Sequence, residues 1–559
     1  MMACDTFTEY YAPLLDDTYD VVDRIVINAY FNLACSPGGF RQWWYNLHGT
    51  LDHLDDTHLM RMAGRFSRRV RGWAKKNNIP VIDCKDGDRK HRIAQQYIPS
   101  DPTFRGIFAV MVARMPSPVW RVLRFDSGGF HLKRKEPMPF TNHYFFHIMD
   151  AQWGHVTVML CGHPPFKGTV MLNGHEYTAS LARRRGIGFT KDGNCFVEMT
   201  DSRQLTEAAD ALRSKAAIGQ LRQVCERWIY RCVCFGLSFD EQKRTGFRYT
   251  YSVYQVEYSR NLLFRNGRQM ERVFDGMIDR TRRLLDIRRV LKIFGRRNRR
   301  YKRFGPSARE QVVVETPEYD LTVFKLHFGK LTLKLYTKGE CVLRSEAISH
   351  NVKELGCGRI IDRFNDIVNR LSELLENFLN ALQCVDTAWV RDGQLDDLPT
   401  PGQVGRTRVG GVDVNRPRTR AAMEATIALA LKPGGFTAAE HADHVRRLLG
   451  AEGLRYTSRQ SAYDLKKLRG KGLIDKTHPR SRCYCVTSIG LRTMTGLIVL
   501  REKIIKPLLS NLGRCRSGPP AHKSSKLDVC YRQLQHGMQD LFRQLHFVEH
   551  DTMSNVLSM

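Results

Sequence analysis

No stretch of the 559-residue chain approaches the roughly eighteen consecutive apolar residues that a membrane-crossing helix needs, so no helical span is expected. The opening MMACDTFTEYYAPLLDD is acidic and has neither a basic flank nor an apolar core, which argues against a secretory signal. Fifteen cysteines are scattered without a dense spacing, so reduced thiols in the cytoplasm are expected rather than a disulfide framework. Also missing are a Walker loop, a dinucleotide fingerprint, a Gly-x-Ser-x-Gly elbow, a His-Glu-x-x-His helix and paired Cys-x-x-Cys knuckles. Without them an ATP-driven or zinc-hydrolase enzyme is not expected. Acid is the other shortage.

Asp plus Glu number 57 against 88 Lys plus Arg, a formal net charge of +31. Self-repulsion on that scale favours a polyanionic partner, and nucleic acid is the usual one. Hydrophobic residues make up 42% of the chain, enough to build cores, so this is not a disordered polycation. The length predicts two to four domains.

The periodicity predicts an α/β, mixed α+β, multidomain body. Residues 18–125 form a first α/β segment. There DVVDRIVINAYF (Asp20 to Phe31) reads as a strand and RQWWYNLHG as an aromatic helix. HLMRMAGRFSRRVRGWAKKNN reads as a basic helix with Met60, Met62, Phe66, Val70 and Trp73 toward the core, and NIPVIDC as a buried strand. Residues 126–215 are a β-rich segment and 216–390 a helical and hairpin segment ending its first half in the basic run IRRVLKIFGRRNRRYKR. A Gly-, Pro- and Arg-rich stretch over 391–420 shows almost no apolar periodicity and is expected as a flexible linker.

After it, 421–510 reads as helix, helix, helix, hairpin, helix, with 511–559 a helical tail. The third helix starts at Thr457 or Ser458, turns Leu465 and Leu468 inward, and leaves Arg459, Gln460, Tyr463, Lys466 and Lys467 outside. The hairpin carries Lys476, His478, Arg480 and Arg482 at its tip, with Tyr484 and Val486 returning inward. This order, and the stretch YDLKKLRGKGLIDK...YCVTSIG in particular, resembles the winged helix-turn-helix of MarR-like regulators. That resemblance implies a recognition helix in the major groove and a wing on the backbone.

Two body regions carry candidate chemistry. In FFHIMDAQWGHVTVML and LNGHEYTASLARRRGIGF, Asn173 and Gly174 suit a helix cap with Glu176 in the first turn. His175 and Glu176 could instead do acid and base work, or meet a metal together with Asp150. His143, His147, Cys161 and His163 match no zinc template. In LTLKLYTKGECVLRSEAISHN, Lys334, Tyr336 and Lys338 alternate on one strand and Arg344 and Glu346 on the next, so a hairpin brings them to one sheet face. The Asn-Gly-His-Glu turn and the Lys-x-Tyr-x-Lys...Leu-Arg-x-Glu hairpin resemble those of an uncharacterised bacterial protein family, a resemblance that brings no activity with it. The strand pair is also loosely similar to one in replication initiators of filamentous phages, which nick through a tyrosine. The His-hydrophobe-His metal motif of many such nickases is absent here.

The resulting expectation is a nucleic-acid-binding protein, DNA through a winged helix and a basic body, of a bacterial and mobile-element-associated kind. Contacts are expected from Arg65, Arg68, Arg69, Arg288, Arg289, Arg296, Arg297, Arg299, Arg300, Lys334, Lys338, Arg344, Arg459, Gln460, Lys466, Lys467, Arg480 and Arg482. The rival from another class is a metal-dependent nuclease or nicking enzyme using Asp150, His175, Glu176 or Tyr336; a third reading is a binder of structured RNA. No cofactor is evident from the sequence, a divalent metal enters only with the enzyme reading, and no membrane partner is expected.

Overall fold

The computed structural model describes residues 5–125, 129–284, 311–318, 321–328, 330–386, 393–430, 435–450 and 455–501, with a few positions between 529 and 537. The run from Arg288 to Arg303, with its six expected contact residues, lies outside them. No helix among the described residues is long and apolar enough to cross a membrane. The chain divides into two compact units, one built from residues up to Leu379 and one from Asn380–Ala430 and Gly435–Met559.

The first unit is organised by one sheet. Its elements are β1 (Leu15–Tyr30), β2 (Val81–Asp83), β3 (Gly106–Pro116), a separate hairpin of β4 (Trp120–Arg124) and β5 (Phe130–Arg134), β6 (Phe140–Asp150), β7 (Gly154–Cys161) and β8 (Gly168–Asn173). A second small hairpin of β9 (Phe189–Asp192) and β10 (Cys195–Met199) follows, then β11 (Thr250–Phe264), β12 (Gln311–Glu318), β13 (Leu321–Phe328), β14 (Leu331–Lys338) and β15 (Val342–Ser349). Eleven strands hydrogen-bond in the order β12-β13-β14-β15-β11-β1-β8-β7-β6-β3-β2, antiparallel throughout except for the β2–β3 pair.

The three segments expected as separate are therefore one body. β1, from the first, pairs on one side with β8 of the second and on the other with β11 of the third. Its near-continuous apolar run suits such a central place, where both faces are covered. The expected buried strand at Val81 is instead the half-exposed edge of the sheet.

Helix Asp56–Lys76 begins where the Asp55 carboxylate accepts from His58 N, and buries Leu59, Met62, Phe66, Val70 and Ala74. Met60, expected in the core, is exposed, because the buried stripe runs through Leu59. Helix Gly174–Arg184 begins at Asn173, whose side chain accepts from His175 N at 2.9 Å. Gly174 is required there, since a Cβ would collide with the Val22 carbonyl of β1.

The second unit begins with a surprise for the linker reading. Over 393–412 the chain forms the short helix Gln394–Asp397 and a hairpin of β16 (Gly402–Val404) and β17 (Thr407–Val409) around Gly405, whose φ is +57°. Leu398, Val409 and Val412 are buried, and Val412 N donates to Leu398 O at 2.6 Å. Sparse apolar residues, spaced without helical or strand period, were enough to anchor it. Helices Pro417–Leu429, Ala438–Leu449 and Ser458–Gly470 follow, then Ser488–Leu500. β18 (Phe436–Thr437), β19 (Ile474–Lys476) and β20 (Cys483–Val486) make a small sheet in the order β18-β20-β19. His441 joins three of the helices: its ring nitrogens lie 2.8 Å from Ser461 Oγ, 3.0 Å from Thr426 Oγ1 and 2.9 Å from Ala422 O.

Candidate functional site

β14 obeys its period-two pattern, with Leu331, Leu333 and Leu335 buried and Lys334, Tyr336 and Lys338 on the opposite face. Its register with β15 sets Lys334 opposite Glu346 and Tyr336 opposite Arg344. Tyr336 Oη donates to Glu346 Oε1 at 2.5 Å, Arg344 Nε lies 2.9 Å from the same oxygen, and Lys334 Nζ donates to Oε2 at 3.4 Å. The expected gathering of polar side chains on one hairpin face is what the structure has.

That face, however, looks inward. Asp23 stands at an irregularity in the β1–β11 register between Val22 and Ile25, and pairs with Arg344, whose side chain is fully buried. Arg344 also donates to Asn194 O at 2.9 Å and Ser259 Oγ at 3.2 Å. Asn194, in the turn of the β9–β10 hairpin, accepts from Lys338 and donates to Asp23 Oδ1 at 3.3 Å. His175 Nδ1 lies 2.5 Å from Asp23 Oδ1, with no exposure of either ring or carboxylate above 4%. The hairpin and helix Gly174–Arg184 thus cover a network of charges rather than a solvated sheet.

The electrostatics follow from the burial. Desolvation, reinforced by Lys191 and Lys338, brings His175 down to about 3, so its imidazole is neutral at physiological pH. Burial and the Glu346 charge push the Tyr336 phenol up. Burial alone would raise Glu346, but Arg344 and Lys334 hold it below the usual range. Tyr336 is consequently a committed hydrogen-bond donor, which corrects its reading as an accessible nucleophile. Of the cations expected to contact a single strand, Arg344 is fully buried on Asp23, while Lys334 and Lys338 are half-buried and face Glu346 and Asn194.

Asp150, His175 and Glu176 do not share a partner. His175 meets Asp23, and Glu176 pairs with Lys191 Nζ at 2.5 Å. Asp150 Oδ1 accepts from the backbone of Gln152 (2.8 Å) and Trp153 (3.0 Å), while Oδ2 accepts from Trp228 Nε1 (2.7 Å) and Arg227 Nη1 (2.8 Å). Burial would raise this carboxyl, but those donors hold it below its ordinary value. Among the described residues no group of three His, Cys, Asp or Glu side chains is arranged to hold a metal. Cys161 faces His143 across β6–β7; burial is outweighed by hydrogen bonds from His143, Ser117 and Thr141, which bring its thiol to about 7.

Sequence reasoning missed Asp23, Asn194 and Ser259. The usable signal was Asp23 itself, an acid inside an apolar run, which must find a cation if the strand is buried. Asp20, in the same run, does so on its own: Arg260 donates to it from Nε and Nη2, both at 2.7 Å, and pairs also with Asp5.

Exposed basic residues remain. Arg68 and Arg69 lie on the open side of helix Asp56–Lys76, whereas Arg65 turns in to Gly236 O (2.6 Å) and Glu241 (3.2 Å). In the second unit Thr457 caps helix Ser458–Gly470 in a capping box, with Gln460 Oε1 accepting from Thr457 N at 2.8 Å, so the Gln460 carbonyl oxygen is committed to the cap. Arg459 and Tyr463 are exposed, Lys466 and Lys467 half-buried, and the Lys467 ammonium sits 5.0 Å from the Tyr463 ring centroid. Leu465 and Leu468 are buried as expected. The β19–β20 turn is closed by Thr477 Oγ1 on Ser481 Oγ at 2.8 Å and exposes His478, Arg480 and Arg482. Tyr484 and Val486 are half-buried.

No protein-family model, curated protein or solved structure matches the chain.

Proposed function

We propose that the protein binds DNA, with the second unit acting as a winged helix-turn-helix module. Helix Ser458–Gly470 takes the place of the recognition helix and the β19–β20 hairpin that of the wing. One observation carries the reading: a single small module exposes Arg459 on the first turn of its third helix and Arg480 and Arg482 at its hairpin tip, none of them paired with an acid among the described residues. The first turn of a recognition helix approaches base edges, and a wing meets phosphate or minor groove. The formal charge of +31 supports a polyanionic partner.

The test is selection of the full chain against a random duplex library, followed by salt titration. Arg459→Ala relaxes sequence preference by about 1–3 kcal/mol at the affected base pair if it makes a bidentate contact to guanine. Replacing Arg480 and Arg482 by Ala weakens all sequences alike and lowers the log–log salt slope by about 2. No selected sequence, together with no response to either change, removes the reading. Preference for structured RNA over every duplex DNA replaces it with an RNA-binding one.

A further inference from the structure

Leu398–Val412 forms a closed loop against helix Ser458–Gly470. Besides the Val412–Leu398 bond, Lys471 Nζ donates to Asp397 O at 2.5 Å and to Thr400 Oγ1 at 2.8 Å. Gly470 admits the hairpin: a Cβ there would lie 2.8 Å from Val409 Cγ2 and 3.5 Å from Val404 Cγ2. The chain leaving β17 then runs beside the exposed stripe of the helix, because a Cβ on Gly410 would stand 3.5 Å from Tyr463 Oη and 3.6 Å from Lys467 Cε.

With Val404 and Val409 turned to Gly470, the period of the strands puts Gln403 and Arg408, which are register partners, on the other face; Arg406 occupies the turn. Arg406 and Arg408 are both exposed. Elsewhere in this unit Arg416, Arg418, Arg446, Arg447 and Arg469 are paired with acids. Arg406 and Arg408 have no acidic partner among the described residues, a state they share with Arg459, Arg480 and Arg482.

We propose that the β16–β17 hairpin is a further nucleic-acid-contacting element beside the third helix, with Arg406 and Arg408 on backbone phosphates. This rests on the DNA-binding reading above and adds to it a contact that a helix and wing alone do not supply. Two features favour contact over mere solubility. The hairpin backbone is fixed by buried side chains and backbone bonds, so the chain that carries the two arginines is already placed before binding and only their side chains must order on contact. It also abuts Tyr463 and Lys467, so a polyanion seated on that helix passes within reach. The competing account, in which the two charges only guard the edges of a two-stranded ribbon against other strands, expects no change in binding.

The experiment uses the full chain and a duplex of about 30 base pairs taken from the library selection, or a mixed-sequence duplex if no site emerges. Arg406→Ala with Arg408→Ala is expected to lower the salt slope by about 2 and to weaken binding at about 0.1 M salt by one to two orders of magnitude, equally for all sequences. Distant charge is screened over about 10 Å at that salt, so a slope change of this size marks contact. An unchanged slope in this variant, with the Arg459 and Arg480/Arg482 variants responding, overturns the hairpin contact and leaves the module reading standing. Tighter binding in the double variant also overturns it, since the hairpin would then be shielding the helix. If no variant of the three responds, the module does not bind nucleic acid and both proposals fall.

Discussion

Replacing Arg344 by Met keeps the aliphatic stem and removes the guanidinium from a fully buried place. Two carboxylates lose their cation, but unequally. Glu346 retains the Tyr336 hydroxyl and Lys334. Among the described residues Asp23, 3% exposed, keeps the Asn194 amide at 3.3 Å and a His175 that titrates at about 3 and is neutral at physiological pH. Stranding a buried charge this way costs about 3–5 kcal/mol, a large part of the stability of an ordinary domain. Urea unfolding of the full chain, followed by tryptophan fluorescence, reads it out, because Trp43, Trp44 and Trp153 are buried in this unit. Asp23→Asn in the same background removes the stranded charge, so the double variant is expected to recover at least about 1 kcal/mol relative to additivity. The orphaned Asp23 should also draw a proton onto His175, raising its titration above 3 in histidine NMR. A loss below about 1 kcal/mol with a strictly additive double variant would refute the view that these charges depend on each other.

Burial brings His441 down to about 4, against an ordinary 6.5. The unfolded chain therefore takes up a proton that the folded one refuses, and stability of the second unit is full above about pH 6.5 and falls through pH 4 by up to about 3 kcal/mol. Thermal melts across that range on the full chain and on His441→Asn check it, the variant losing this part of the pH dependence. Gly174→Ala forces a methyl into the Val22 carbonyl and is expected to cost about 1–3 kcal/mol, whereas Gly38→Ala, with nothing within 4 Å, should be neutral or stabilising by up to about 1 kcal/mol. Equal melting temperatures for these two alanine variants would contradict the close approach of β1 and the helix.

Local period carried far in this chain. The alternation in LTLKLYT placed β14 and its polar face, and Asn173-Gly174 marked a helix start that the structure caps as expected. Long-range register was invisible. Asp23 and Arg344 stand 321 positions apart, and whether a polar strand face meets water or a second layer depends on β9–β10, whose placement no local pattern states. The loop 398–412 was illegible for a different reason: its glycines and prolines, which suggest freedom, here permit tight turns around the buried Leu398, Val409 and Val412. Charge has the same double meaning. A net +31 suggests a surface crowded with phosphate contacts, yet Arg65, Arg260 and Arg344 already face carboxylates within their own unit. A cation balanced internally neutralises no phosphate and so releases none of the counterions condensed on DNA. If the proposed DNA binding holds, its salt slope follows the exposed, acid-free arginines and lysines rather than the composition, and a slope that responded to Arg344 as strongly as to Arg480 would mean that the buried network opens when nucleic acid arrives.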